Sequence, residues 1–230
     1  MGPQAHYHTA PIKVTVGKGQ DARVFYVHEA HLTRTSEFFK TCLHSHIEEL
    51  THEVPLPDDD PAAFDLFVQW LYYDDYHVSA AVPRDQGATD DTYYMLHVKA
   101  YTLANKIVAP IFQRRVVEKL AQVLEQYTDI DMATLLNMAE DVYEGTADDA
   151  HDEMRSILAL YCASRTGQPS YPEYGDPRRF FRHDELRMLA NCEQPQFIAD
   201  VLQGVNSRRR LHEGELLEHL QYRAQRTIGP

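Results

Sequence analysis

Cysteine is scarce in this 230-residue chain, with three residues, Cys42, Cys162 and Cys192, set far apart and no CxxC pair. That spacing excludes a disulfide framework and a zinc ribbon, and leaves buried, reduced thiols as the reading of these positions. Long apolar runs are missing too. No stretch approaches the roughly 18 consecutive apolar residues that span a bilayer. Met1 to Pro11 lacks the apolar centre of a secretory signal, so a soluble, intracellular protein without a membrane partner is expected. Positive charge is also in short supply: 22 Lys and Arg against 35 Asp and Glu give a formal net charge of −13. Nucleic-acid binders present a basic footprint to the phosphates, so no nucleic-acid partner is expected. The basic run Arg208-Arg209-Arg210 reads as a solvated turn or helix end.

The patterns that carry catalysis are absent as well. Gly17-Lys18-Gly19 precedes a strand rather than a helix, which is the wrong context for a phosphate-cradling loop. The 13 histidines raise the question of a metal. Cys42, His44 and His46 cluster, with His28 and His31 nearby in sequence, but no HExxH or zinc-type Cys/His spacing appears. Asp58-Asp59-Asp60 reads as a helix cap, because a calcium loop spreads its ligands over about 12 residues. No catalytic, cofactor-binding or metal-binding residue is assigned, and no cofactor is expected. A metal protein or enzyme built on the histidine-rich first half is the least favoured function.

What is present is a globular composition, 43% hydrophobic, with a change of period along it. Ile12, Val14 and Val16 alternate with Lys13 and Thr15, the period of a half-buried strand. Gly17 to Asp21 reads as a turn, and Arg23 to Val27 as the return strand with Phe25 and Val27 facing inward. From His28 the pattern is helical, with Thr35-Ser36 as a stop and new N-cap before Glu37 to Leu43. Glu53 to Leu56 reads as a strand that Pro55 and Pro57 keep short or at an edge. Asp60 and Pro61 then open a helix as N-cap and first residue, with Phe64, Phe67, Val68 and Leu71 on one stripe.

Ser79 to Thr92 reads as a surface insertion. Leu96, Ala100, Leu103 and Ile107 mark the next helix, and Pro110 opens another with Phe112, Val116 and Val123 on one face. The second half reads as all-helical. Its stripes are Met132, Leu135, Leu136, Ala139, Val142 and Tyr143, and then Met154, Ile157, Leu158, Tyr161 and Cys162 after an acidic start at Asp148-Asp149. Arg165 to Pro177 reads as a loop. Shorter helical signals follow at Asp184–Ala190 and Gln196–Gln203, and Gly214 to Ala224 carries Leu216, Leu217 and Leu220.

Five of these blocks, in this order, resemble the BTB/POZ family. They are Phe25-Tyr26-Val27-His28; Leu32 with Ser36-Glu37-Phe38-Phe39; Val54-Pro55-Leu56-Pro57-Asp58-Asp59-Asp60-Pro61; Phe64 with Trp70-Leu71-Tyr72; and Tyr101, Leu103, Ala104 and Lys106. The acidic-proline turn with Trp-Leu-Tyr is most similar to the small BTB proteins of filamentous fungi. The resemblance implies an α+β fold: a BTB/POZ-like N-terminal domain, a small sheet flanked by helices, over residues 12–124. An all-α C-terminal extension, residues 125–230, is expected to follow it.

The resemblance also implies a protein–protein interaction module rather than an enzyme, with protein partners and self-association into a homodimer. In that dimer Leu32 and the first-helix surface would lose exposure. A second implied role is substrate adaptor of a cullin-type ubiquitin ligase. Ile47-Glu48-Glu49 is similar to the hydrophobic-x-Glu motif by which adaptor-type members dock onto the cullin scaffold, an exposed apolar side chain filling a pocket while a carboxylate sets register. The same residues also fit a helix end, with Ile47 as its last buried residue and the two glutamates solvated. Ile107 occupies the place of a tyrosine that is often a partner contact in the family. His28, at the start of the first helix, is expected to pack and hydrogen-bond locally.

Overall fold

The computed structural model describes residues 11–43, 53–78, 90–126, 130–146, 152–165 and 182–206. Among them the chain forms strands β1 (Pro11–Val16), β2 (Arg23–His28) and β3 (Glu53–Leu56). The helices are α1 (Glu29–Thr35), α2 (Glu37–Leu43), α3 (Pro61–Tyr73), α4 (Asp90–Lys106), α5 (Pro110–Gln126), α6 (Met132–Gly145), α7 (Glu153–Arg165), α8 (His183–Ala190) and α9 (Pro195–Asn206). The chain divides into two compact units, residues 1–116 and 117–230, with the division inside α5.

In the first unit the strand order is β2-β1-β3, with β1 antiparallel to β2 and parallel to β3. The register places Ile12 opposite Val27, and Val14 opposite both Phe25 and Val54. Strand side chains alternate between faces, so these residues form one apolar face with Val16 and Leu56, and all but the half-buried Phe25 are buried. β3 is four residues long and lies at a sheet edge, the position to which Pro55 confines it. The hairpin turns through Gly17 and Gly19, both at positive φ. Glycine is needed at Gly17, where a Cβ would come within 3.0 Å of Pro61 Cγ.

α3 begins as its sequence dictates. The Asp60 carboxylate accepts from the backbone N–H groups of Ala62 and Ala63, and Pro61 takes the first helical position. Its buried face is wider than the Phe64, Phe67, Val68, Leu71 stripe. Ala63, Leu66 and Trp70 are buried beside Phe64, Phe67 and Leu71, because α3 is enclosed on more than one side, while Val68 is half-buried. Phe67 lies at the centre of an aromatic cluster, 5.1 Å from the Phe112 ring, 6.1 Å from Trp70 and 6.5 Å from Phe39. α4 already runs from Asp90, so the last residues of the expected 79–92 insertion are helical, while 79–89 lie outside the described residues.

Every regular element among the described residues of the second unit is a helix. α7 starts at Glu153, capped by Asp152, whose carboxylate accepts from Arg155 N–H at 2.9 Å; the acidic pair 148–149 lies outside the described residues. Arg155 is buried and closes the C-terminus of α6. It donates to the carbonyls of Tyr143 and Thr146 and to the Thr146 hydroxyl, with its guanidinium 4.5 Å from the centre of the Tyr143 ring. The Tyr143 hydroxyl in turn donates to Asp200 on α9 at 2.6 Å. Of the thiols, Cys162 alone is buried; Cys42 and Cys192 are half-buried, and none of the three is in a disulfide.

Candidate protein-interaction surfaces

The residues singled out from sequence separate into three groups. Ile47, Glu48 and Glu49 lie outside the described residues, as do His44 and His46. Leu32 and Ile107 are each 0% exposed. Burial corrects their direct-contact role: both are core side chains of the first unit, and a partner reaching this region meets their neighbours instead. α1 itself turns Glu29, Ala30, Thr33 and Arg34 outward, a polar face. The histidines are held by aromatic neighbours. His28 Nδ1 lies 2.7 Å from the Tyr72 hydroxyl, which also accepts from the His28 backbone N–H, and the His31 ring is 4.7 Å from that of Tyr72. The His28 side chain therefore bonds across to α3 rather than locally. Among the described residues no group of three His, Cys, Asp or Glu side chains converges as a metal site.

Large apolar side chains of the first unit are exposed at Tyr73, near the end of α3, and on two further surfaces. One surrounds the buried Ile107. α4 ends in a turn in which Ala109 N–H donates to the Ala104 carbonyl at 2.9 Å and Val108 N–H to that of Asn105 at 3.1 Å. This is the Schellman arrangement, whose C′ position is left-handed and usually glycine. Here it is Val108, at φ 52, a conformation that costs a β-branched residue energy. The turn is held from the other side by α2. Glu37 and Phe38 N–H donate to the carbonyls of Val108 and Ile107, and the Ser36 hydroxyl, which caps α2, also donates to Ile107. The fixed turn leaves Val108 50% and Ile111 65% exposed. α2 then leads directly into residues 44–52, the segment containing Ile47-Glu48-Glu49.

The second surface is the outer face of the sheet, where Tyr26 is 68% exposed and Val24 is also open. They stand opposite Lys13 and Thr15 of β1. Beyond them Lys13 pairs with Glu53 at 2.9 Å, and Thr15 donates to the same carboxylate. The hydrogen bond from Lys13 holds the Glu53 carboxyl below its ordinary range.

The acidic turn does more than cap α3. Asp58 pairs with Lys18 of the hairpin, Asp59 with Lys106 and Asp60 with Lys99 of α4, the last at 2.8 Å. Lys18 is thereby committed to a structural ion pair. Burial alone would raise the Asp60 carboxyl, but the Lys99 hydrogen bond and charge, with the two α3 N–H groups, hold it below its ordinary range.

Val108 and Ile111 were missed as surface residues from sequence. Their signal was available: Ile111 falls outside the Phe112, Val116, Val123 stripe, and Val108 sits where a helix-ending glycine is usual.

The first unit is thus a three-stranded sheet flanked by helices, with apolar side chains exposed at a fixed turn and on a sheet face. Residues 6–104 match the family model of the BTB/POZ domain, so the first part of this chain is a BTB/POZ domain, a protein–protein interaction module. No curated protein matches the chain. Among the described residues no helix is long and apolar enough to cross a membrane.

Proposed function

We propose that the chain acts by binding, and that its BTB/POZ domain docks a protein partner on the surface formed by α2 and the Val108–Ile111 turn. The observation that carries this reading is Val108. Val108 is a β-branched residue held at φ 52 with half its surface open, so an apolar side chain is presented at a position that glycine would fill without strain. The partner favoured is a cullin-type scaffold, because the turn anchors the start of α2 and α2 runs into Ile47-Glu48-Glu49. Residues 125–230 then serve as the extension that recruits what the ligase acts on, inside the cell, in cytoplasm or nucleus. Calorimetric titration with the N-terminal domain of a BTB-binding cullin tests this. Saturable binding that is lost in Glu49→Lys and in Ile111→Asp is expected. Absence of binding at about 50 μM, by titration at two temperatures so that a zero-enthalpy interaction is not missed, overturns it.

Self-association is the second reading, favoured by the open Tyr26 and Val24 on the sheet face. It differs from a first-helix dimer in the residues it uses. Light scattering of the full chain should give twice the monomer mass, returning to monomer in Tyr26→Lys. A monomer at every concentration excludes it.

A further inference from the structure

α9 is apolar on two sides. Its inner face is fully used: Phe197 and Val201 are buried, and the Phe197 ring meets Tyr143 edge-on at 5.7 Å. A Cβ at Gly204 would come within 2.9 Å of Ala163 Cβ, so α9 and α7 are in close approach there. The outer face should then be polar, as on an ordinary surface helix. Instead Ile198, Leu202 and Val205 recur at i, i+4 and i+7, with Leu202 and Val205 exposed and Ile198 half-buried. A stripe at that spacing is what a second helix covers.

The chain carries a complement to it. Past Asn206 it continues through residues 207–230, where Leu216, Leu217, Leu220 and Ala224 share one side at helical spacing. Residues 207–213 separate this segment from α9, within the roughly 2–8 residues that join antiparallel helices in bundles. A second copy of the chain fits less well. Three aliphatic side chains fall far short of the ~800 Å² per partner that a stable dimer buries, whereas a segment tethered by a short linker docks at high effective concentration.

We propose that the outer stripe of α9 is the docking face for the chain's own Leu216–Leu217–Leu220 segment, which lies outside the described residues. The stripe belongs to the second unit, and the proposal does not depend on the partners of the BTB/POZ domain.

Photo-cross-linking of the full-length chain tests it, with p-benzoylphenylalanine replacing Leu202 and, in a second variant, Val205. A monomer-sized product joining the probe to residues 214–224 by peptide mapping is expected. It should disappear in Leu217→Asp/Leu220→Asp, with far-UV circular dichroism showing that the helices persist. A dimer-sized product would make a second copy the occupant and overturn the proposal. So would the absence of any product into 214–224 from both probe positions.

Discussion

Replacing Val108 reverses an ordinary rule of helix chemistry. At a regular helix position alanine is more stable than glycine by about 0.5–1 kcal/mol, because glycine loses more backbone freedom on folding. At φ 52 any residue with a Cβ pays about 1–2 kcal/mol, while glycine pays nothing. At the midpoints, strain of about 1.5 kcal/mol less entropy of about 0.75 kcal/mol leaves Val108→Gly more stable than Val108→Ala by about 0.75 kcal/mol. Both variants forfeit the two γ-methyls of valine, so that loss cancels in the comparison, and glycine gives up only the Cβ in addition. The chain's single tryptophan, Trp70, is 8% exposed in the core of the BTB/POZ unit, and its fluorescence reports unfolding of that unit. The glycine variant should melt about 2–4 °C above the alanine variant, and both should bind the partner of this surface more weakly than the parent chain. Equal stability, or alanine above glycine, would refute the claim that Val108 is strained.

Gly17→Ala should cost about 2 kcal/mol by the same measurement, since φ is 87 and the new Cβ meets Pro61 Cγ at 3.0 Å. Asp60 predicts an acid slope. Its folded carboxyl titrates below the ordinary 3.8, so its stabilisation is complete above about pH 4 and is lost as pH falls through the folded value. Asp60→Asn keeps the cap but not the Lys99 pair, and its urea midpoint should fall less steeply below pH 4 than the parent's. Arg155→Ala should destabilise the second unit by about 3 kcal/mol, followed by far-UV circular dichroism, because it removes the donor to two carbonyls at the end of α6 and leaves a cavity where a buried side chain stood. Burial pushes the Cys162 thiol up to about 12, leaving about 10⁻⁴ of it as thiolate at pH 8. Iodoacetamide should therefore label Cys42 and Cys192 in the native protein and spare Cys162, as mass spectrometry would show.

Much of the fold was readable from sequence because its signals are local. The alternation of Ile12, Val14 and Val16, the Gly17-Gly19 turn and the Asp60-Pro61 helix start each depend on a few adjacent residues whose backbone preferences agree. The Tyr72 partner of His28 was not readable, nor were the lysines that take up Asp58, Asp59 and Asp60. Those pairings join residues some forty positions apart, and the periodicity of one element says nothing of which side chain from another element reaches it. The full breadth of α3's buried face was hidden for the same reason.

The binding residues show where this limit bears on function. Leu32 and Ile107 were selected by type and by position, as apolar residues at places where relatives make contacts, and both are at 0% exposure. Apolar pattern identifies residues that must be covered, but not whether their own domain covers them. What distinguishes Val108, Ile111 and Tyr26 is the reverse: each lies off its element's buried face and stays open after the core has closed. At Val108 the backbone adds a second, independent signal, since the turn that buries Ile107 is the one that pushes its neighbour outward at positive φ. Core and surface are thus coupled in a single turn. Softening the core with Ile107→Ala should therefore weaken partner binding without touching the partner, by loosening the turn that presents Val108 and Ile111.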